Sequence, residues 1–227
     1  MAMIVSIDRV RTRWSASNST DVRNAIQGAI EAGTLELEGL CSSPFALATV
    51  IDTFFVRTMD MYGWGPTRRT KQLLLSRGFL TGAPSAVRAS ADPIDLANGN
   101  GDDLVALNNW YLDNLESGVG TIENYDATGL YVRVTYQAGF VLGGDGDTED
   151  TYGMSGVYLN CPDWLIEAGV HAATIQAEMN AALRALLKGS IEEGPSGTTL
   201  RTQLTSILAT HSRYSPLAVK PFRTQAS

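Results

Sequence analysis

Apolar residues first recur at helical spacing in VRNAIQGAIEAGTLELEGL. There Val22, Ile26, Ala29, Ile30 and Gly33 share one stripe, and Leu37 and Leu40 continue it with slippage. Ser19-Thr20-Asp21 supplies an N-cap, and Gly39 with the run Cys41-Ser42-Ser43-Pro44 ends the segment. Residues 6–13 read weakly as a short strand or a first helix. The dense apolar run FALATVIDTFFVRTMDM is core in either a helix or a strand, and Tyr62-Gly63-Trp64-Gly65-Pro66 closes it.

After Pro66 the texture changes. The short runs QLLLSRGFL, SAVRAS, NNWYLDN and GLYVRVTYQAGF alternate with turn clusters at Gly82-Ala83-Pro84, Asp92-Pro93, residues 98–103 and Gly118-Val119-Gly120. This predicts a small, mostly antiparallel sheet, with Leu130, Val132, Val134 and Tyr136 on one face and Tyr131, Arg133 and Thr135 on the other. Residues 143–156 form an acidic, glycine-rich stretch. From Cys161-Pro162-Asp163 a single long helix is expected to reach Lys188, with Ile175, Met179, Ala182, Leu183 and Leu186 in its stripe. GPSGTT is a linker, LRTQLTSILATH a short helix, and Pro216 and Pro221 keep the last residues extended.

These elements predict an α+β chain: a helical bundle dominated by a long helix in its C-terminal half, with an inserted small antiparallel β region and an extended C-terminal tail. The expected divisions are 1–66 for the N-terminal helices, 67–142 for the β-rich insertion, 143–161 for the acidic loop, 162–211 for the long and short helices, and 212–227 for the tail. No apolar run approaches the roughly 18 residues of a membrane span, and the N-terminus lacks the pattern of a secretory signal.

Charge sharpens the picture. The net charge is −7 over 227 residues, which excludes a uniformly basic nucleic-acid binder. The balance is +3 over residues 1–91 and −13 over residues 92–167, whereas nothing acidic follows Thr198. A chain with an acidic middle and a basic end leans toward an assembly part rather than a small enzyme. Two cysteines and two histidines rule out a disulfide framework and a zinc spacing.

Each candidate for chemistry has a plainer reading. Asp145, Asp147, Glu149 and Asp150 offer hard oxygen ligands for Ca²⁺, but the EF-hand register is missing and a solvated loop is preferred. His171, one helical turn after Glu167, reads as a surface or interface histidine. Cys161 at a helix start would have its pKa lowered by the dipole, yet no His and Asn are tied to it, and a small packing residue fits better. Asp102-Asp103 is turn chemistry. No GxGxxG or GxxxxGK[ST] is present. The aromatics from Trp64 to Tyr158 are sheet core, with material left over for contacts. No catalytic residue, metal ligand or cofactor is assigned.

The tail is balanced between a disordered terminus and a segment that folds on a neighbour. Tyr214, Leu217, Val219 and Phe222 are too apolar for a solvating end.

One order of motifs points to a family. The strand Tyr131-Val132-Arg133-Val134-Thr135-Tyr136-Gln137-Ala138-Gly139-Phe140, an acidic gap, and a helix opened by Pro162-Asp163-Trp164-Leu165 resemble the head–tail connector (adaptor) proteins of tailed bacteriophages. The capped helix near residues 21–32 and the apolar segment 45–58 add to the likeness. The longer central β region and tail depart from it. The resemblance implies a virion protein, assembled in the host cytoplasm, that forms a ring, commonly of twelve subunits, beneath the portal. It would extend the double-stranded DNA channel without sequence-specific contacts, retain packaged DNA and receive the next neck or tail protein. No membrane partner is implied. On this reading Arg213, Tyr214, Leu217, Val219, Phe222 and Arg223 would dock to the portal protein. Asp145, Asp147, Glu149 and Asp150 would face the channel or the tail side. The alternative is a tail-completion or tail-terminator ring, and a metal-dependent hydrolase using the acidic loop is the rival from another class.

Overall fold

A computed structural model of the chain describes residues 2–57, 70–143, 156–186 and 197–211. The chain divides into two units, Met1–Ala46 with Phe140–Ser227 and Leu47–Gly139.

The first unit is helical. Ser6 caps α1 (Ile7–Arg13) by accepting from the Arg9 backbone, and Ser19 caps α2 (Thr20–Cys41) by accepting from Val22. Helix α2 buries Val22, Ile26, Ala29, Ile30, Gly33 and Leu37, while Leu40 is exposed. It ends where Ser42 turns left-handed at φ 45°. Helix α4 (Asp163–Met179) packs along α2 through small residues. A Cβ on Gly33 would lie 2.8 Å from the Ala173 nitrogen and 2.9 Å from the Ala172 carbonyl carbon, so only glycine allows this approach. Helix α6 (Gly197–His211) covers α4 with Leu200, Leu204 and Leu208 buried.

Polar ties set the angle of α1. Asp8 takes Arg11 at 3.1 Å and Arg23 at 3.0 Å, Arg9 reaches Glu167 at 3.2 Å, and the Trp14 indole donates to Thr174 at 3.1 Å. Residue Met3 bridges Val157, Ala46 bridges Phe140, and Leu142 bridges Tyr158. The rings of Phe45, Phe140 and Tyr158 cluster at 6.0–6.3 Å beside these bridges.

The second unit is built from two antiparallel sheets. One has the order β1-β7-β3-β4, formed by β1 (Ala48–Phe55), β7 (Tyr131–Ala138), β3 (Ala86–Ser90) and β4 (Asp102–Asp103). The other runs β2-β6-β5, from β2 (Thr70–Leu74), β6 (Val119–Glu123) and β5 (Trp110–Asn114). Both contribute to one core: Leu73 and Ile122 come from the second sheet, and Val87, Val132, Val134 and Tyr136 from the first. The expected alternation of β7 is observed, with Val132, Val134 and Tyr136 fully buried and Tyr131, Arg133 and Thr135 on the other face.

The expected bundle dominated by one long helix is not what forms. The described residues hold six helices and two antiparallel sheets, and the longest helix is α2, with 22 residues. The helix expected to run from Pro162 to Lys188 stops at Met179, because Asn180 is extended (φ −97°, ψ 109°). The Asn180 side chain then accepts from the Ala182 backbone at 3.0 Å and starts α5 (Ala181–Leu186). The apolar stripe runs on across that break, so periodicity alone misses it. Segment 45–58, assigned to the N-terminal helices, carries strand β1 instead. Its inner positions Val50 and Phe54 pack on the β core, while Ile51 and Phe55 stay exposed on the outer face. Thr49 and Thr53 share the outer face with Ile51 and Phe55, and Asp52 sits between Val50 and Phe54 on the inner one, so neither face reads as purely polar or apolar.

Two elements arise where turns were expected. Asp92 caps the short helix α3 (Pro93–Ala97), with proline at its first turn. The expected turn Gly118-Val119-Gly120 runs into β6, the central strand of its sheet, which starts at Val119 and accommodates Gly120 directly beneath the Trp110 ring.

Candidate functional site

The residues with the sharpest expected roles, Arg213, Tyr214, Leu217, Val219, Phe222 and Arg223 in the tail and Asp145, Asp147, Glu149 and Asp150 in the acidic loop, lie outside the described residues. The site chemistry on view is therefore that of the two units.

In the helical unit an open groove of about 580 Å³ is lined by Gly28, Ala29 and Ala32 of α2 and by Gln176, Met179 and Asn180. Its lining bears no charge. Gln176 donates to Glu36 at 2.8 Å, and the Met179 sulfur receives Arg201 at 3.2 Å. His171 on α4 is half-buried, and burial lowers its pKa. Glu167 opposes that shift and Arg13 adds to it. Burial also pushes the Cys41 and Cys161 thiols up to about 12. For Cys161 this reverses the expected effect of the helix dipole. Its Sγ donates to the Tyr158 carbonyl at 3.6 Å, which suits a packing residue.

In the β unit a polar network crosses the core wall. The Tyr136 hydroxyl donates to Asp52 at 2.8 Å and accepts from the Arg77 backbone at 3.0 Å, while the Ser76 backbone donates to the same Asp52 oxygen at 2.6 Å. Burial holds the Tyr136 pKa above its ordinary value; the Ser76 and Arg77 hydrogen bonds oppose this and Asp52 reinforces it. The network is structural: it fixes the exit of β2 against β1 and β7.

One stretch of the β unit carries acidic charge and no basic residue. Between Arg88 and Arg133 there is no lysine or arginine, while Asp92, Asp95, Asp102, Asp103, Asp113, Glu116, Glu123 and Asp126 all fall there. The two flanking arginines are turned elsewhere, Arg88 to the Gly99 carbonyl and Arg133 to the Leu96 carbonyl at 2.8 Å. Asp102-Asp103, read from sequence as turn chemistry, forms β4. Asp103 accepts from the Val105 and Ala106 backbones, as a turn aspartate does. Asp102 takes the Tyr125 hydroxyl at 2.7 Å, and burial together with this carboxylate raises the Tyr125 pKa to about 12. The sequence showed this stretch as net charge only. The fold distributes it: Asp92 and Asp95 lie at α3, Asp102 and Asp103 on β4, Asp113 on β5 and Glu123 on β6.

Among the described residues no group of three or more histidine, cysteine or acidic side chains is placed to hold a metal ion. Among the same residues, no helix is long and apolar enough to cross a membrane. Comparison with known proteins finds no match to a family model, a curated protein or a solved structure.

Proposed function

We propose that the chain is a structural protein of a tailed-phage virion, a connector that forms a ring between the portal and the tail or neck. The observation that carries this reading is the order of elements behind the resemblance. Strand β7 ends at Ala138 and runs through Gly139-Phe140 into the helical unit, and Pro162 precedes the first turn of α4 with Asp163, Trp164 and Leu165. The segregation of charge supports it. An acidic middle does not bind the phosphate backbone, so a ring lined in this way lets DNA slide. On this reading the ring holds about twelve copies, the 213–223 segment meets the portal protein, and residues 145–150 face the channel or the next tail protein.

The test is electron microscopy of lysates from phage lacking this gene. Heads that package DNA and then lose it, beside separate finished tails, are the expected result. Filled heads with malformed tail ends would move the protein to a tail-completion ring. Normal infectious particles would overturn the structural reading.

A further inference from the structure

A sheet edge presents unpaired backbone N–H and C=O groups, a template for another strand unless the chain blunts it. Among the described residues the β unit has four such edges, and three are blunted. Strand β4 has only two residues, β5 is irregular between Leu112 and Asn114, and β2 carries Lys71. Strand β1 is different. It runs eight residues in unbroken register with β7 and contains no proline, lysine or arginine.

The direction of its backbone groups follows from its neighbours. Val56 donates to the Leu130 carbonyl and accepts from the Gly129 backbone, both on the β7 side. On β7 itself, the Thr135 and Gln137 carbonyls accept from Ser85 and Thr81 on the opposite side. Alternation then turns Ala48, Val50, Asp52 and Phe54 toward β7, and aims the N–H and C=O of Thr49, Ile51, Thr53 and Phe55 at the open edge. Among the described residues no backbone hydrogen bond reaches those four on that side. Ile51 and Phe55 are 51% and 48% exposed, and Phe55 stacks at 4.9 Å on the neighbouring Tyr131 ring.

We propose that β1 pairs antiparallel with β1 of a second copy of this chain, with Ile51 on the two-fold axis. The strand is self-complementary in that register. Ile51 faces its own counterpart, Thr49 faces Thr53, and Leu47 faces Phe55 of the second copy, so apolar meets apolar and threonine meets threonine. Moving the axis to Val50 or Asp52 sets Ile51 against a threonine. The move to Asp52 also sets two carboxylates directly opposite each other, which like-charge repulsion disfavours. Centred on Ile51, each Asp52 stands across from Val50 and keeps its bonds to Ser76 and Tyr136. The new ladder joins two four-stranded sheets into one and leaves neither β1 edge bare. A contact of this kind closes at two copies, so it belongs to the free chain and does not rest on the connector reading.

Sedimentation equilibrium of the full chain is the first test. The mass should rise with concentration from that of one chain toward that of two. Ile51→Lys sets two ammonium groups face to face at an exposed position and should weaken the association at least about tenfold. A protein that stays monomeric at its highest soluble concentration would overturn the proposal. So would an association that ignores Ile51→Lys, including a larger ring built on other surfaces, an outcome that leaves the connector reading intact. Disulfide trapping checks the register separately. Opposed residues of a hydrogen-bonded antiparallel pair have Cα atoms about 5.5 Å apart, which is inside disulfide reach. Oxidised Ile51→Cys should therefore give at least about fivefold more covalent dimer than Thr53→Cys or the unaltered chain. Equal trapping at the two positions would overturn the pairing.

Discussion

Helix α2 contains two glycines that a single methyl group should separate. At Gly28 a Cβ would meet nothing within 4 Å, whereas at Gly33 it would press on the backbone of Ala172 and Ala173 at 2.8–2.9 Å. Alanine gains roughly 1 kcal/mol over glycine inside a helix, so Gly28→Ala should stabilise the protein by about 0.5–1 kcal/mol. Gly33→Ala has the same gain in propensity, but the obstacle is helix backbone, which moves only if α2 and α4 part. Overpacking of this kind costs about 1–3 kcal/mol, so the net change is from near zero to about 2 kcal/mol of destabilisation. The two variants should therefore differ by about 1–3 kcal/mol, with Gly33→Ala the weaker. Each kcal/mol is worth about 2–4 °C in Tm for a chain of this size. Thermal and urea unfolding followed by circular dichroism measure the difference, and equal m-values show that the unfolded reference is shared. Equal stability for Gly28→Ala and Gly33→Ala would refute the close α2–α4 approach.

Three further outcomes follow from the same structure. Tyr136→Phe removes the hydroxyl that joins Asp52 to the Arg77 backbone and should cost about 1–3 kcal/mol in urea unfolding. Tyr131→Phe, on the outer face of the same strand, should stay within about 0.5 kcal/mol, and equal losses would argue against the network. Burial holds the Cys41 and Cys161 thiols near 12, so iodoacetamide at pH 8 should label the native protein far more slowly than the urea-unfolded chain; rapid native labelling would contradict that burial. His171 has a depressed pKa in the folded state, so the unfolded chain takes up its proton first. The contribution of its burial is complete above about pH 6.5 and is lost as pH falls through the folded pKa. His171→Gln should therefore flatten the loss of stability on the acid side of pH 6.5, and an unchanged pH profile would show that His171 is not the group responsible.

How much of the fold the sequence discloses depends on how local the determining physics is. Ser19 and the stripe from Val22 to Leu37 announce α2, because a cap and a buried face are both written within one helix. Strand β7 is equally plain, since its polar outer face preserves the alternation. Strand β6 is hidden because the reason for Gly120 lies ten residues away in the Trp110 ring. The break at Asn180 is hidden because one side chain ends a helix and starts another without disturbing the apolar period. The residues expected to dock to a portal or to face a channel were inferred from a resemblance and from composition, and they lie outside the described residues.

The distribution of charge nonetheless says where contact chemistry belongs. In the helical unit Asp8 and Glu167 sit beside arginines and help to set the α1 packing. In the β unit the arginines that could balance the acidic stretch hold the end of α3 instead. Like charges close in sequence, such as Asp92 with Asp95 and Asp113 with Glu116, repel one another and add little to folding. Paired charge and the close approach of α2 and α4 hold the helical unit, whereas in the β unit Asp95, Glu116 and Glu123 make no ion pair among the described residues.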